Sequence, residues 1–184
     1  MPPLVLQQNL FYLFEVEQMP LNNFNYSVTW TDFALQSSRP TGAHEDAHIQ
    51  VHYDYTYQLK RNGNAVIINS ADVNMNVVLP KSWVVSSQMT NDLLSHEQGH
   101  YDITALGARE LYNALLQLSA ASGNVLQTRA AQLNQRIQQK IDRVNIRYDT
   151  QTNHSQDTAA QQTWQQRIAA EKQKPDGSID NLPQ

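Results

Sequence analysis

Two stretches of the chain carry the pattern His-Glu-x-x-His: "TGAHEDAHIQ" at 41–50 and "LLSHEQGHYD" at 93–102. On a helix, two His four residues apart lie on one face about one turn apart, so both imidazoles can reach one zinc ion. The Glu after the first His is then placed to hold and deprotonate a metal-bound water. On a strand the same spacing puts the two residues roughly 13 Å apart, too far to share an ion. Local context therefore decides between the two copies.

His44-Glu45-Asp46-Ala47-His48 follows Pro40 and Gly42 and runs straight into an alternating stretch, so it reads as a coincidental match in a loop leading to a strand. His48 and His52 are then expected on the polar, outward face of that strand. His96-Glu97-Gln98-Gly99-His100 sits among good helix formers with apolar residues on both sides. A buried Glu beside two His is costly without a charged or metal partner, so this copy is the expected zinc sequence. Gly99 would let a substrate or a neighbouring element approach closely.

A catalytic zinc takes three protein ligands and keeps one position open. Asp102 lies about 200° around the helix from His100, and Glu110 is about 15 Å along the axis from it; neither fits. His154, in an expected break between two helices, is the candidate third ligand. With no Cys in the chain, any metal site must use His and carboxylates.

The 184 residues are enough for one domain with a real core. Net charge is −4 and the basic residues are scattered, which argues against nucleic acid as a partner. The N-terminal "MPPLVLQQNLFYLFEVEQMP" has no Lys or Arg and no run long enough to span a bilayer. It thus lacks the basic region of a secretory signal; either the protein stays inside or a signal has been removed.

The first half reads as sheet. "HIQVHYDYTYQL" alternates strictly, with Ile49, Val51, Tyr53, Tyr55, Tyr57 and Leu59 on one face. Asn62-Gly63 suits a type I′ hairpin turn. "DVNMNVVLP" alternates again and ends at Pro80. Three consecutive antiparallel strands are expected, after a shorter one around "YSVTW". From about Ser87 the period becomes helical, with a Thr or Asn cap, a helix running through the core and a Ser-Gly-Asn stop. A second helix places Leu126, Ala130, Leu133, Ile137, Ile141 and Val144 on one stripe, and "DTQTNHSQD" breaks it. A third, "TAAQQTWQQRIAAEKQ", is expected to dock through Trp164 and Ile168 with Asp157 as its cap. The expectation is an α+β, zincin-like fold: a small antiparallel sheet packed on a central helix and further helices. A single domain would cover 1–174, with strands at about 26–80 and helices at about 88–172, and 175–184 a loose tail.

"LLSHEQGHYDI", "RYDTQTNHS" and "VTWTDF" together resemble the bacterial domain-of-unknown-function family 922, labelled as predicted secreted zinc-dependent proteases. The resemblance runs from roughly Tyr26 to Trp164. It implies that the short loop holding Tyr148, Asp149, Thr152 and His154 belongs to the site, that the ion is zinc, and that the protein is secreted or periplasmic.

The resulting expectation is a zinc-dependent hydrolase of peptides or proteins. His96, His100 and His154 would hold zinc, and Glu97 would act as general base toward a metal-bound water. Tyr148 would donate to the developing oxyanion. Asp149 or Asp157 would orient His154. The strand "DVNMNVVLP" would offer an exposed edge to an extended peptide, or else be internal. The same zinc chemistry would also serve a cell-wall peptide or a small amide. The alternative from another class is a non-catalytic binding module of the cell envelope, zinc-stabilised or metal-free.

Overall fold

Strict alternation in "VHYDYTYQLKRN" commits that segment to the pleat, and its partner follows at once. The computed structural model describes residues 21–184, so the reading of residues 1–20 as neither signal nor span lies outside the described residues. The strands are β1 (Leu21–Asn22), β2 (Ala34–Gln36), β3 (Ala47–His48), β4 (Val51–Asn62), β5 (Ala65–Val77), β6 (Trp83–Val85) and β7 (Ser119–Ala120). The helices are α1 (Asn91–Leu116), α2 (Gly123–Thr152) and α3 (Thr158–Gln173). The architecture is the expected mixture of α and β, in two small sheets packed against helices.

In the first sheet β5 is central. It pairs antiparallel with β4 from Val51↔Val77 to Asn62↔Ala65. On its other side it meets β1 in parallel and β7 antiparallel. The second sheet has the order β2-β6-β3. The one antiparallel sheet expected is thus two sheets, each of mixed direction, and three further expectations change here. The two strands expected after the Asn62-Gly63 turn are one strand, because the break between them is a bulge: Gln58↔Ser70 is followed by Leu59↔Ile68, leaving Asn69 extra. The hairpin's central residues are Gly63 and Asn64, and of the two only Gly63 has positive φ (61°), the II′ pattern rather than I′. "YSVTW" forms no strand, since Asp32 accepts from the Thr29 N–H (2.8 Å) and the Tyr26 hydroxyl (2.7 Å) and curls Trp30–Asp32 into a 3-10 turn.

Thr90 caps α1 by accepting from the Leu93 N–H at 3.2 Å. The helix then runs through the core, with Tyr101, Ile103, Leu106 and Leu111 fully buried. It ends at Leu116, earlier than the Ser-Gly-Asn stop. Ser119 and Ala120 instead add a strand, and Ser122 caps α2. The six-residue stripe on α2 is buried as expected, from Leu126 to Val144. Asp157 caps α3 through the Ala160 N–H at 2.9 Å, and Trp164 and Ile168 are buried. Among the described residues no helix is long and apolar enough to cross a membrane.

Residues 175–184 are docked, not loose. Ile179 and Leu182 are buried, and Glu110 accepts from the Ile179 N–H at 2.7 Å. Arg109, itself buried, donates to the carbonyls of Glu171 (2.7 Å) and Gly177 (2.8 Å). These partners are distant in sequence, so no local pattern marks them. Ile179→Ala should therefore cost about 2–5 kcal/mol in urea unfolding. An unmoved midpoint would mean the segment does not contribute to the fold.

Candidate metal centre

The site lies where α1 and α2 face each other. His96, Gly99 and His100 share one face of α1. Asn145, Tyr148, Asp149 and Thr152 recur at helical spacing on the facing side of α2. A Cβ at Gly99 would lie 2.7 Å from two ring carbons of Tyr148, and one at Gly107 would overlap Ile141. Two glycines therefore let the side chains of α2 seat against the backbone of α1.

Asp149 Oδ1 lies 3.1 Å from His96 Nε2 and 2.9 Å from His100 Nε2. The two Nε2 atoms are 3.2 Å apart. The far side of each ring is committed. His100 Nδ1 is 2.9 Å from Asn145 Oδ1, an oxygen that only accepts, so Nδ1 carries a hydrogen there. Thr152 gives its hydroxyl hydrogen to the Tyr148 carbonyl (2.7 Å), leaving its oxygen to accept from His96 Nδ1 across 3.5 Å. In neutral rings both Nε2 lone pairs thus converge on a carboxylate oxygen. Three acceptors at this range repel unless a proton or a cation sits among them.

The spacing suits zinc. Two ligands about 2.05 Å from zinc at a tetrahedral angle are about 3.3 Å apart, close to the separations seen. His96, His100 and Asp149 are also the group of candidate ligands, among the described residues, whose atoms all lie within 4.8 Å of one another. The outer partners Asn145 and Thr152 fix the tautomers that ligation needs.

Electrostatics agree. Burial works against a charged His100, but the hydrogen-bonded Asp149 carboxylate outweighs it and pushes the pKa up to about 9. Burial would raise Asp149, yet its contacts with His100 and His96 hold it well below the usual carboxylate range. His96 is lowered, chiefly by burial. A cavity of about 340 Å³ opens over this group, and Glu45, Glu97, Asp142 and Asp149 line it without any Lys or Arg. Such a lining concentrates cations.

Glu97 is 2% exposed. It accepts from the Ile49 backbone N–H, while its Oε2 has no partner among the described groups. Burial pushes its pKa up to about 7, with the His100 charge opposing. A carboxylate poised near neutrality beside a ligand trio is suited to general-base work.

The family model for a bacterial protein of unknown function (DUF922) matches residues 26–155. The chain belongs to this family. No curated protein and no solved structure matches it.

In this DUF922 chain the expected site residues fall into three groups. His96, Glu97 and His100 stand together on α1, as the second motif requires. His154 lines the cavity but stands outside the trio; its Nδ1 is 3.6 Å from Asp149 Oδ1. Tyr148 is fully buried behind His96, its ring stacked on the imidazole at 4.6 Å and its hydroxyl without a partner. It does not line the cavity, so that position serves packing rather than donation to an oxyanion. Asp157 caps α3. Asp149, expected to orient His154, instead contacts both α1 imidazoles, because α2 continues to Thr152. The first motif is strand and bend rather than helix, yet Glu45 and His48 line the same cavity. Asn145 escaped the sequence reading; its place one turn before Asp149 was the available signal.

Two outcomes follow from this geometry. In metal-free protein, the raised His100 stabilises the fold below about pH 6.5 and loses that contribution as pH rises through about 9. The raised Glu97 carboxyl makes ionisation costly, so stability also falls between its ordinary 4.5 and about 7. Urea unfolding of chelated protein should therefore show declining stability from about pH 5 to about pH 9, and added zinc should release about one proton on binding; a flat profile contradicts the assignment. Tyr148→Phe, which removes only an unpartnered hydroxyl, should leave stability within about 1 kcal/mol and zinc affinity unchanged.

Proposed function

We propose that the protein is a zinc-dependent hydrolase of peptide or protein amides. The observation that carries this reading is the buried Oε2 of Glu97, without a partner among the described residues, on a cavity-lining side chain beside a ligand trio. His96, His100 and Asp149 would hold the ion, and Asn145 and Thr152 would orient the two rings. Zinc, when bound, supplies Lewis acidity toward a carbonyl oxygen and toward water.

Glu97 takes the proton of the attacking water at Oε2, while the Ile49 N–H steadies its other oxygen. Its pKa near 7 lets it accept that proton and then give it to the leaving nitrogen at the same pH. His154 lies one contact beyond the trio and steadies the Asp149 carboxylate. An extended substrate is favoured because residues 47–51, which lead into β4, an edge strand among the described residues, form one wall of the cavity. The interior strand β5, once the candidate edge, is paired on both sides.

A structural zinc that merely ties α1 to α2 is the second reading, since the ligands come from both helices. The orphaned base and the cavity favour catalysis over it.

Glu97→Gln separates the two. The variant should keep stoichiometric zinc and lose at least about 100-fold in cleavage of casein, followed by mass spectrometry. Undiminished cleavage would end the general-base assignment. For the ligands, Asp149→Asn should weaken zinc binding more than His154→Ala, measured by competition with a chromogenic chelator. The reverse order would return His154 to the third-ligand place.

A further inference from the structure

The first His-Glu-x-x-His stretch has no helix and no share in the trio, yet its last residue opens onto the cavity. His48 lies on β3, where backbone pairing with β6 sets Ala47 against Val84 and His48 against Trp83. The following residue, Ile49, gives its N–H to Glu97. Gln50 then donates its own N–H to Ser82 Oγ at 2.9 Å. His48 is thus anchored on both sides, one position from the backbone group that holds the base.

Several other side-chain donors of the cavity are committed. Thr104 donates to the His100 carbonyl (3.0 Å) and Gln138 to Asp142 (2.8 Å). The Gln50 amide reaches the Val51 carbonyl (3.3 Å), and Asn145 accepts from His100 through its oxygen. His154 sits against Asp149. No Lys or Arg lines the cavity, and Tyr148 lies behind it. The His48 ring has neither a hydrogen-bond nor an ion-pair partner among the described residues, whereas His154 stands against Asp149.

We propose that His48 is a catalytic residue: it donates a hydrogen bond to the oxyanion that forms as an amide is hydrolysed in this cavity. The proposal rests on the hydrolase reading above. As the water oxygen bonds to the carbonyl carbon, the C=O electron pair moves onto oxygen, and the His48 N–H meets that charge without giving up its proton. On collapse the C–N bond breaks, and nitrogen takes the proton carried by Glu97. Burial and the nearby His100 charge lower the His48 pKa from 6.5, which keeps the ring neutral, with one N–H, at neutral pH.

The test compares zinc-loaded wild type with His48→Ala and His48→Gln. The side chain is exposed to the cavity, so both variants should keep the wild-type melting temperature and one zinc. His48→Ala should lower kcat about 100-fold with KM within about twofold, and His48→Gln, which keeps an N–H donor, should recover about tenfold of that loss. A second readout needs no turnover: affinity for N-phosphoryl-Leu-amide, a tetrahedral anion, should fall about 100-fold in His48→Ala, while the hydroxamate of N-acetyl-Leu binds within about threefold of wild type. Equal affinity for the tetrahedral anion in wild type and variant overturns the proposal, as does a steep loss of zinc, which would make His48 a ligand. If wild type cleaves no peptide, the hydrolase reading fails by itself, and the phosphoryl probe still decides whether His48 meets an anion there.

Discussion

One carboxylate oxygen held between two imidazoles is the constraint on which the rest of this structure turns. Asp149 comes from α2, and His96 and His100 come from α1, so the contact exists only if two helices meet face to face at close range. Gly99 and Gly107 permit that range by presenting bare backbone to Tyr148 and Ile141. The end of α2 is held from outside as well. Arg147 and Gln151 donate to the Pro183 and Gln184 carbonyls, and the Trp164 indole donates to Gln151. The docked C-terminal segment and α3 therefore brace the turn that carries Asp149.

The same crowding separates the protonation states of neighbouring groups. Glu97 and Asp149 are both carboxylates within one cavity. Glu97 is pushed toward neutral pH by burial, whereas Asp149 is held ionised by the imidazoles against it, the charged His100 foremost. Two like groups driven apart in this way can take different roles, one as base and one as ligand. A cation at the trio would complete the arrangement, because without it a lone proton on His100 must hold three acceptors together.

Elements set by local pattern were legible in the sequence. The α2 stripe, the limits of α3 with its Asp157 cap, and the strand face from Ile49 to Tyr57 all follow from period and capping alone. The choice of the second motif over the first also followed from context, since strand alternation after His48 excludes a helix there. What long-range contact decides was not legible. "DTQTN" looks like a helix end because Asp, Thr and Asn are weak helix formers, yet Thr152 bonds back to the Tyr148 carbonyl and packs by His96, so the helix persists. That extension moved Asp149 from a loop to the heart of the site. The bulge at Asn69 split one strand into two by its broken alternation. The seat of Ile179 depends on Arg109 and Glu110, about 70 residues away in the chain. The first motif folds as bend and strand, as its context implied, but its place in the same cavity could come only from the fold.

X-ray absorption at the zinc edge, on protein loaded with one equivalent and freed of excess, addresses the central claim most directly. The account requires a first shell of nitrogen and oxygen only, at about 2.0–2.1 Å, with multiple scattering from two imidazoles and a carboxylate oxygen that is lost in Asp149→Asn. Failure to retain stoichiometric zinc, or a shell without imidazole, would contradict it.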